Sequence, residues 1–214
     1  MAVPRPAAGG GHWVEVPPER LARWLAGFAD RHGPTTASYT GARVTLVAAD
    51  GAVAECEVPF APLVGDDLLA HCLRGRRVGV LLVRLGGYAA GVFEGADLMS
   101  SKVGSRQVHG RSAAGGWSQQ RFARRREGQV AAAYAAAADN TVAHLLPHVG
   151  TLDAVVLGGD RTAVDAVLAD RRLAPLRSRV TGRLLDVPDP RLTVLQATPA
   201  QFRAVRIRVL DPPT

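Results

Sequence analysis

Long apolar runs are missing from this sequence, and none approaches the roughly 18–20 residues that a membrane-spanning helix needs. The N-terminus, MAVPRPAAGGGHW, also lacks the apolar segment of a signal peptide. Cysteine is scarce, since only Cys56 and Cys72 occur in 214 residues. Two cysteines are typical of a reducing compartment, where we expect both as small buried hydrophobic side chains; a single disulfide is the alternative. We therefore expect a cytoplasmic protein that does not enter a membrane.

Lysine is nearly absent, because Lys102 is the only one among 26 basic residues. Arginine in place of lysine, with so much alanine, also follows from a GC-rich coding sequence, so the choice of arginine carries little information. The sign of the net charge is more informative. With 19 acidic residues the net charge is +7 and the pI is about 10.6. Such a balance is typical of proteins that bind nucleic acid, so the position of the arginines becomes the question.

Hydrophobic patterns divide the chain into three parts. The opening residues have no periodicity, the next part predicts a helix and a β-hairpin, and the rest alternates strands with helices. Apolar residues make up 47% of the chain, enough to bury a real core. We expect a flexible N-terminal lead at 1–16, a helix-and-hairpin extension at 17–75, and a main domain at 76–214 with a loop at 103–120.

Within the main domain the patterns predict an α/β fold, a mixed sheet covered by helices. Three antiparallel strands precede the loop, and the elements after it are a helix, a strand, a helix and two strands, at 118–146, 155–157, 162–169, 183–187 and 205–210. Thr162 is the expected N-cap of the second of these helices. In the last strand, apolar residues alternate with Arg206 and Arg208, so we expect one apolar and one basic face.

The stretch at 103–127, VGSRQVHGRSAAGGWSQQRFARRRE, combines glycine, short neutral polar side chains and arginine. Glycine reaches backbone conformations that other residues cannot, and a long loop inside a compact domain is either functional or disordered. A glutamine amide both donates and accepts hydrogen bonds, so it can hold a water against an ester carbonyl. Backbone N–H groups beside the glycines can stabilise the oxyanion that forms. The alternative interpretation is a disordered loop before a solvated helix face.

Basic residues dominate the end of this stretch, where Glu127 is the only nearby acidic residue. Guanidinium groups without acidic partners suit the phosphates of structured RNA. Trp117 can stack on a base, and His109 is either a general base or a contact to RNA. The expected RNA-binding residues are Trp117, Arg111, Arg121, Arg124, Arg125, Arg126, Lys102, Arg106 and His109.

The segment GGWSQQRFARRR resembles the start of the catalytic-loop helix of eukaryotic and archaeal class-1 release factors. Those proteins have Gly-Gly-Gln, three further residues and Arg-Phe-Ala-Arg. Here Gly115, Gly116 and the Arg-Phe-Ala-Arg at 121–124 fall in the same register, but Trp117 stands where those proteins have glutamine. The resemblance extends over roughly residues 76–187. It implies the fold of the release-factor catalytic domain for the mixed sheet and its helices.

A closer resemblance is to the release-factor-like peptidyl-tRNA hydrolases of ribosome quality control, of a bacterial, actinobacterial type. In them a Gly-Gly-Ser-Gln type loop carries the catalytic glutamine, and the residues at 115–119 fit this pattern with one inserted residue. The catalytic residues that the resemblance implies are Gln119, Gln120, Gly115, Gly116 and Ser118, with Gln119 ahead of Gln120. The implied partners are peptidyl-tRNA and the large ribosomal subunit, with the rRNA of its peptidyl-transferase centre. No cofactor or metal is implied, and we expect a monomer.

Two other functions remain open: a non-catalytic ribosome- or RNA-binding factor, with Trp117 as the sign of lost activity, and a nuclease that cuts the tRNA acceptor end. Three aspartates could be imagined as the metal site of such a nuclease, but their neighbours indicate turns or strand edges: Asp50, Asp97 and Asp153. His144 and His148 have metal-ligand spacing without a third ligand nearby. The glycine pattern at 86–91 joins two predicted strands and so indicates a hairpin instead of a nucleotide site.

Overall fold

The computed structural model describes residues 5–105 and 118–212, with the side chains of these residues except those of 118–126. Two compact units make up the chain. The first consists of Met1–Gly75 and Pro199–Thr214, and the second is Arg76–Thr198. Each has its own sheet and its own hydrophobic core. Among the described residues, no helix is both long and apolar enough to span a bilayer.

The first unit is built on a six-stranded antiparallel sheet. Its strands, from one edge to the other, are β1 (Arg5–Pro6), β2 (His12–Val16), β10 (Val205–Leu210), β5 (Val53–Glu57), β4 (Arg43–Ala48) and β3 (Thr35–Tyr39). The last strand of the chain therefore lies between β2 and β5, and its Val205 and Ile207 are fully buried.

Two helices supply the rest of this core, α1 (Pro18–His32) and α2 (Leu68–Leu73). Leu21 and Phe28 are buried on one face of α1, as the helical spacing predicts. Gly33, with a φ of 87°, ends this helix because the left-handed region suits glycine. Cys56 and Cys72 are buried thiols in this core, as expected, and burial raises the pKa of Cys56 to about 12.

The expected division of the chain is wrong at both of its ends. The lead at 1–16 is not simply flexible, because β2 pairs along its length with β10. The segment at 205–210 does not belong to the main domain, because it completes the sheet of the first unit. The reason is its alternating pattern: every second residue fills the core that α1 covers, so the strand is stable only where that core exists.

The second unit contains a four-stranded mixed sheet in the order β8 (Asp97–Ser105), β7 (Gly87–Glu94), β6 (Arg77–Arg84) and β9 (Ala154–Gly159). The first three form the predicted antiparallel meander, with the predicted hairpin at 86–91, and β9 runs parallel to β6. One face packs against α3 (Ser118–Leu145), α4 (Arg161–Leu168) and α5 (Ala174–Arg177). A further helix, α6 (Leu192–Ala197), contacts β7 and β8, and its Leu195 packs against Gly91. The predicted α/β fold, a mixed sheet covered by helices, is confirmed.

Four local expectations in this unit are wrong, and the first two concern the bounds of the loop. The loop does not begin at 103, because β8 continues through Gly104 and Ser105, which pair with Tyr88 and Gly87. It does not extend to 120 either, because α3 begins at Ser118. Residues 106–117 lie outside the described part of the chain.

The N-cap of α4 is Asp160, whose carboxylate accepts the backbone N–H of Ala163 at 2.9 Å, and not Thr162. The predicted strand at 183–187 is reduced to one bridge between Leu185 and Gly158. Pro188 and Pro190 follow directly, and proline has no N–H group with which a ladder could continue.

Candidate functional site

The basic, glycine-rich stretch connects the edge strand of the second sheet to the longest helix of that unit. β8 ends at Ser105 and α3 begins at Ser118. Lys102 is exposed on β8 and pairs with Ala90, whose side chain belongs to the core that α3 covers. Opposite residues of neighbouring strands share a face, so Lys102 lies on the face of the sheet that carries α3.

Most of the predicted site residues have no described side chain. The backbone of α3 includes Ser118, Gln119, Gln120, Arg121, Arg124, Arg125 and Arg126. The remaining ones lie outside the described residues: Arg106, His109, Arg111, Gly115, Gly116 and Trp117. The structure thus brings together the two elements that flank the site, and the roles of these residues stay predictions.

The start of α3 has two consequences for the candidate glutamines. The first N–H groups of a helix have no acceptor within it, and the helix dipole is positive at that end, so this end favours negative charge. Gln119 and Gln120 lie in this first turn. Successive positions on a helix are separated by roughly 100° around its axis. The two residues therefore occupy different faces, and a ligand on one side of the helix meets only one of them.

Positive charge is concentrated in this part of the chain. Residues 102–126 contain seven basic residues and no acidic one. The rest of the sequence contains 19 basic and 19 acidic residues, so it is neutral as a whole. The net charge of +7 therefore arises within 25 residues that run from β8 into the first turns of α3. A phosphate backbone would be attracted to this part of the protein above all others.

The expected basic face of β10 is not basic. Arg206 donates a hydrogen bond to Glu57 at 3.0 Å and lies over the Trp13 ring at 4.4 Å. Arg208 lies 3.5 Å from Glu55. The glutamates stand on the neighbouring strand, so they neutralise the arginines across the sheet, a pairing that alternation within one strand cannot reveal.

Two of the three aspartates considered for a nuclease site, Asp50 and Asp153, accept hydrogen bonds from backbone N–H groups instead. Asp50 accepts hydrogen bonds from the backbone N–H of Ala52 at 2.9 Å and from His32 at 2.8 Å, and both contacts lower its pKa. Asp153 accepts the backbone N–H of Arg77 at 2.7 Å. Within the described ranges, no group of three or more His, Cys, Asp or Glu side chains is placed to hold a metal.

A groove beside the end of β8 was not predicted. It has a volume of about 600 Å³ and is lined by residues 85–87, 103–105 and 189–192, all of them in the second unit. Three segments distant in sequence form it, so no local pattern could have indicated it. The tandem glycines at 86–87 are the only local signal in the sequence, and the hairpin turn between β6 and β7 explains them equally well.

A mixed α/β domain with a Gly-Gly segment ahead of an arginine-rich helix defines a release-factor-like protein. The model of the family described as Actinobacteria/chloroflexi VLRF1 release factor matches residues 76–208. The chain belongs to this family, since the match covers more than half of it. The expected relation to release factors is confirmed.

The solved structures that are similar to the chain include two archaeal proteins. One is described as an archaeal protein, with 17% identity and a TM-score of 0.39, over 73% of this chain and 51% of that one. The other is the archaeal translation termination factor aRF1, with 14% identity and a TM-score of 0.41, over 89% of this chain and 66% of that one. The chain thus spans about half the length of the first and just under two thirds of the second. Comparison with curated proteins finds no match.

Proposed function

We propose that this protein is a peptidyl-tRNA hydrolase that releases the nascent peptide from tRNA on stalled large ribosomal subunits. One observation carries the proposal: the whole net positive charge lies in residues 102–126, around the sequence Gly-Gly-Trp-Ser-Gln-Gln. Such a stretch can approach rRNA and bring its neutral polar residues to an ester held there. Membership of a release factor family supports a role at this ester. The site of action would be the cytoplasmic ribosome.

The proposed chemistry needs no strong base on the protein. The side-chain amide of Gln119, or of Gln120, accepts a hydrogen bond from a water and directs its oxygen to the ester carbonyl. The new C–O bond forms and the carbonyl oxygen becomes an oxyanion, which backbone N–H groups stabilise. The bond to the ribose oxygen of the tRNA then breaks, and that oxygen takes up the proton that the attacking water loses, with the terminal ribose of the tRNA assisting the transfer. Correct placement of the water provides the rate increase, which is consistent with a segment that contains no carboxylate.

Proposed RNA contacts surround this centre. Arg121, Arg124, Arg125 and Arg126 would bind phosphates from the first turns of α3, and Lys102 would do so from β8. In the segment between these elements, Arg106, His109 and Arg111 would add further contacts, and Trp117 would stack on a base.

The decisive experiment measures peptide release from purified large subunits that carry peptidyl-tRNA. We expect Gln119→Ala to abolish release while binding to the subunits is unchanged, with Gln120→Ala as the test of the second glutamine. Gln196→Ala is the matched control, because it removes an exposed glutamine from α6 of the same unit. Full activity in both the Gln119 and the Gln120 variants would contradict the mechanism. A denaturing gel of the tRNA separates ester hydrolysis, which leaves it intact, from nuclease action, which shortens it.

A non-catalytic ribosome-binding factor is the second candidate, and one observation favours it: Trp117 stands where related release factors have glutamine. For such a factor, the same assay would give salt-sensitive binding to large subunits with no peptide release.

A further inference from the structure

The two sheets have four edge strands, and three of these are protected from pairing with a further strand. β1 has two residues and ends in Pro6, which has no N–H group to donate. β8 carries a β-bulge opposite Val92 and Phe93 and the exposed charge of Lys102. β9 makes backbone hydrogen bonds to the chain at 179–185 along its outer side. Proteins commonly block the edges of their sheets in these ways.

β3 is the one edge strand in the described part of the chain that lacks such protection. Its five residues, Thr35–Tyr39, include no charged residue and no proline, and its register with β4 is regular throughout. Four of the five residues are exposed. Threonine and tyrosine, which make up three of the five, favour strands. The edge of the first sheet at β3 can therefore accept a further strand.

The hairpin of β3 and β4 shows which residues of β3 face outward. Directly after β3, the N–H of Thr40 donates to the carbonyl of Arg43 at 2.8 Å. Bonded and non-bonded pairs alternate along an antiparallel ladder, so Ser38 and Thr36 are the next residues that bond to β4. The remaining residues have their N–H and carbonyl groups on the outer side: Thr35, Ala37 and Tyr39. Among the described residues, these outward groups have no hydrogen-bonding partner.

We propose that two copies of this chain pair through β3 to form a symmetric dimer, in place of the monomer that the sequence suggested. The strand is self-complementary about Ala37. In an antiparallel pair, Ala37 lies opposite its own equivalent and Thr35 lies opposite Tyr39 of the second copy. Each of these pairs makes two backbone hydrogen bonds, about six in all. Tyr39, which is 45% exposed, then packs beside a β-branched threonine, a favourable cross-strand combination.

The charge of the first unit favours a second copy as the occupant of this edge. The first unit contains nine basic and nine acidic residues, so the whole net charge of +7 belongs to the second unit. Two first units therefore approach each other without net repulsion, and the neutral β3 places no like charges opposite each other. A neutral unit also has no long-range attraction to RNA or to a basic ribosomal protein.

Sedimentation equilibrium of the full-length protein tests the pairing. We expect the mean mass to rise with concentration from 22.5 kDa, the mass of one chain, towards twice that value. A small interface held mainly by hydrogen bonds should give a dissociation constant of about 10–100 μM. Ala37→Pro should raise this constant by at least about tenfold, because it removes an outward N–H that β4 does not use. Ala37→Lys should raise it as much, since two lysines would lie directly opposite each other.

Ala22→Lys is the matched control. Ala22 is exposed on α1 of the same unit, and the variant changes the charge by the same amount as Ala37→Lys. It should dimerise like the wild type. Circular dichroism melts of dilute, monomeric samples show whether the variants are folded. Ala37→Pro should melt close to the wild type, whereas Ser38→Pro should melt earlier, because the N–H of Ser38 bonds to β4.

An introduced cysteine tests the register. The native thiols of Cys56 and Cys72 are both buried, so an added exposed thiol reacts in their place. Across a hydrogen-bonded antiparallel pair the Cα atoms lie about 5.5 Å apart, a distance that a disulfide can bridge. Mild oxidation should therefore link Ala37→Cys into a covalent dimer and leave Ala22→Cys as single chains.

Loss of the dimer in both Ala37→Pro and Ala37→Lys, with Ala22→Lys unaffected, supports the inference. A wild-type protein that stays monomeric up to about 1 mM would overturn it. Dimers that persist in both variants would also overturn it, because another surface would then join the copies. If the wild type is monomeric and both variants lose affinity for large subunits, β3 accepts a strand of a ribosomal protein instead, and self-pairing is wrong. Peptide release is measured separately, so the inference does not depend on the proposed function.

Discussion

Asp160 has two backbone partners that together fix the start of α4. Its carboxylate accepts the Ala163 N–H at 2.9 Å, and its own N–H donates to the carbonyl of Val83 at 2.8 Å. We expect Asp160→Ala to lower the free energy of unfolding by about 1 kcal/mol, because one N–H group of the helix end loses its acceptor. Thr162→Ala should change it by less than about 0.5 kcal/mol. Urea titrations of both variants measure the difference. Equal losses of unfolding free energy in the two variants would contradict the assignment of Asp160 as the N-cap.

Gly104 and Gly128 should respond to alanine with opposite signs. A Cβ at Gly104 would overlap the hydroxyl of Tyr88, a side chain that packs against the core of the second unit. We expect Gly104→Ala to destabilise the protein by about 1–3 kcal/mol. Gly128 is exposed in α3 with open space around it, so Gly128→Ala should stabilise by about 1 kcal/mol. Thermal melts give both signs, and a stabilising Gly104→Ala would be inconsistent with this packing.

Among the elements, the turn between α4 and α5 is joined to α3 by one arginine. Arg172 donates hydrogen bonds to Asp170 at 2.6 Å and to Asp139 of α3 at 2.7 Å. These contacts lower the pKa of Asp170 to about 2. The side-chain hydrogen bonds of Arg172 are the main cause, and the hydrogen bond from the backbone N–H of Arg172 is the next. Since the usual pKa of an aspartate is about 3.9, the folded state binds this proton more weakly than the unfolded state.

This difference predicts the acid dependence of stability. The contribution of Asp170 is fully present above about pH 4 and is lost as the pH falls from about 4 to about 2. Asp170→Asn should remove that part of the dependence, whereas Asp165→Asn, on exposed α4 surface, should leave it as in the wild type. Unfolding free energies from urea titrations between about pH 2 and 6 measure it. An unchanged slope in Asp170→Asn would contradict the assignment.

For the whole molecule, the position of β10 predicts how the chain can be divided. A protein that ends at residue 198 lacks the strand between β2 and β5, and the core of the first unit loses Val205, Ile207 and Val209. We expect its first unit to unfold, while residues 76–198 alone should fold, because they keep their own sheet and core. Amide NMR spectra of the two proteins measure this. A folded first unit without β10 would show that the strand is dispensable.

The charge distribution makes a second prediction at this scale. Changing Arg124, Arg125 and Arg126 to glutamine should weaken binding to large subunits. The slope of the logarithm of the binding constant against the logarithm of the salt concentration should become less steep, by up to about 0.9 for each lost phosphate contact. The matched control changes Arg20, Arg23 and Arg31, which are exposed on α1, and alters the net charge by the same amount. If both triple variants lose the same affinity for large subunits, binding depends on the total charge of the protein, and the prediction that the position of the arginines decides it is wrong.

Local patterns in the sequence were sufficient for much of this fold. They located α1, the hairpin of β4 and β5, the meander of β6 to β8 and the start of α3, because each depends on residues close together in the chain. The relation to release factors could also be predicted locally, because it rests on the spacing between Gly115 and the Arg-Phe-Ala-Arg at 121–124.

What depends on distant residues was decided only by the tertiary structure. The alternation in β10 predicts a strand but not its neighbours, so neither its place in the first unit nor the pairing of Arg206 with Glu57 could be derived. The groove joins Gly87, Gly104 and Pro190, which only the folded sheet brings together. Strand pairing and burial are interactions between remote segments, and a sequence pattern records only which face of each segment is apolar.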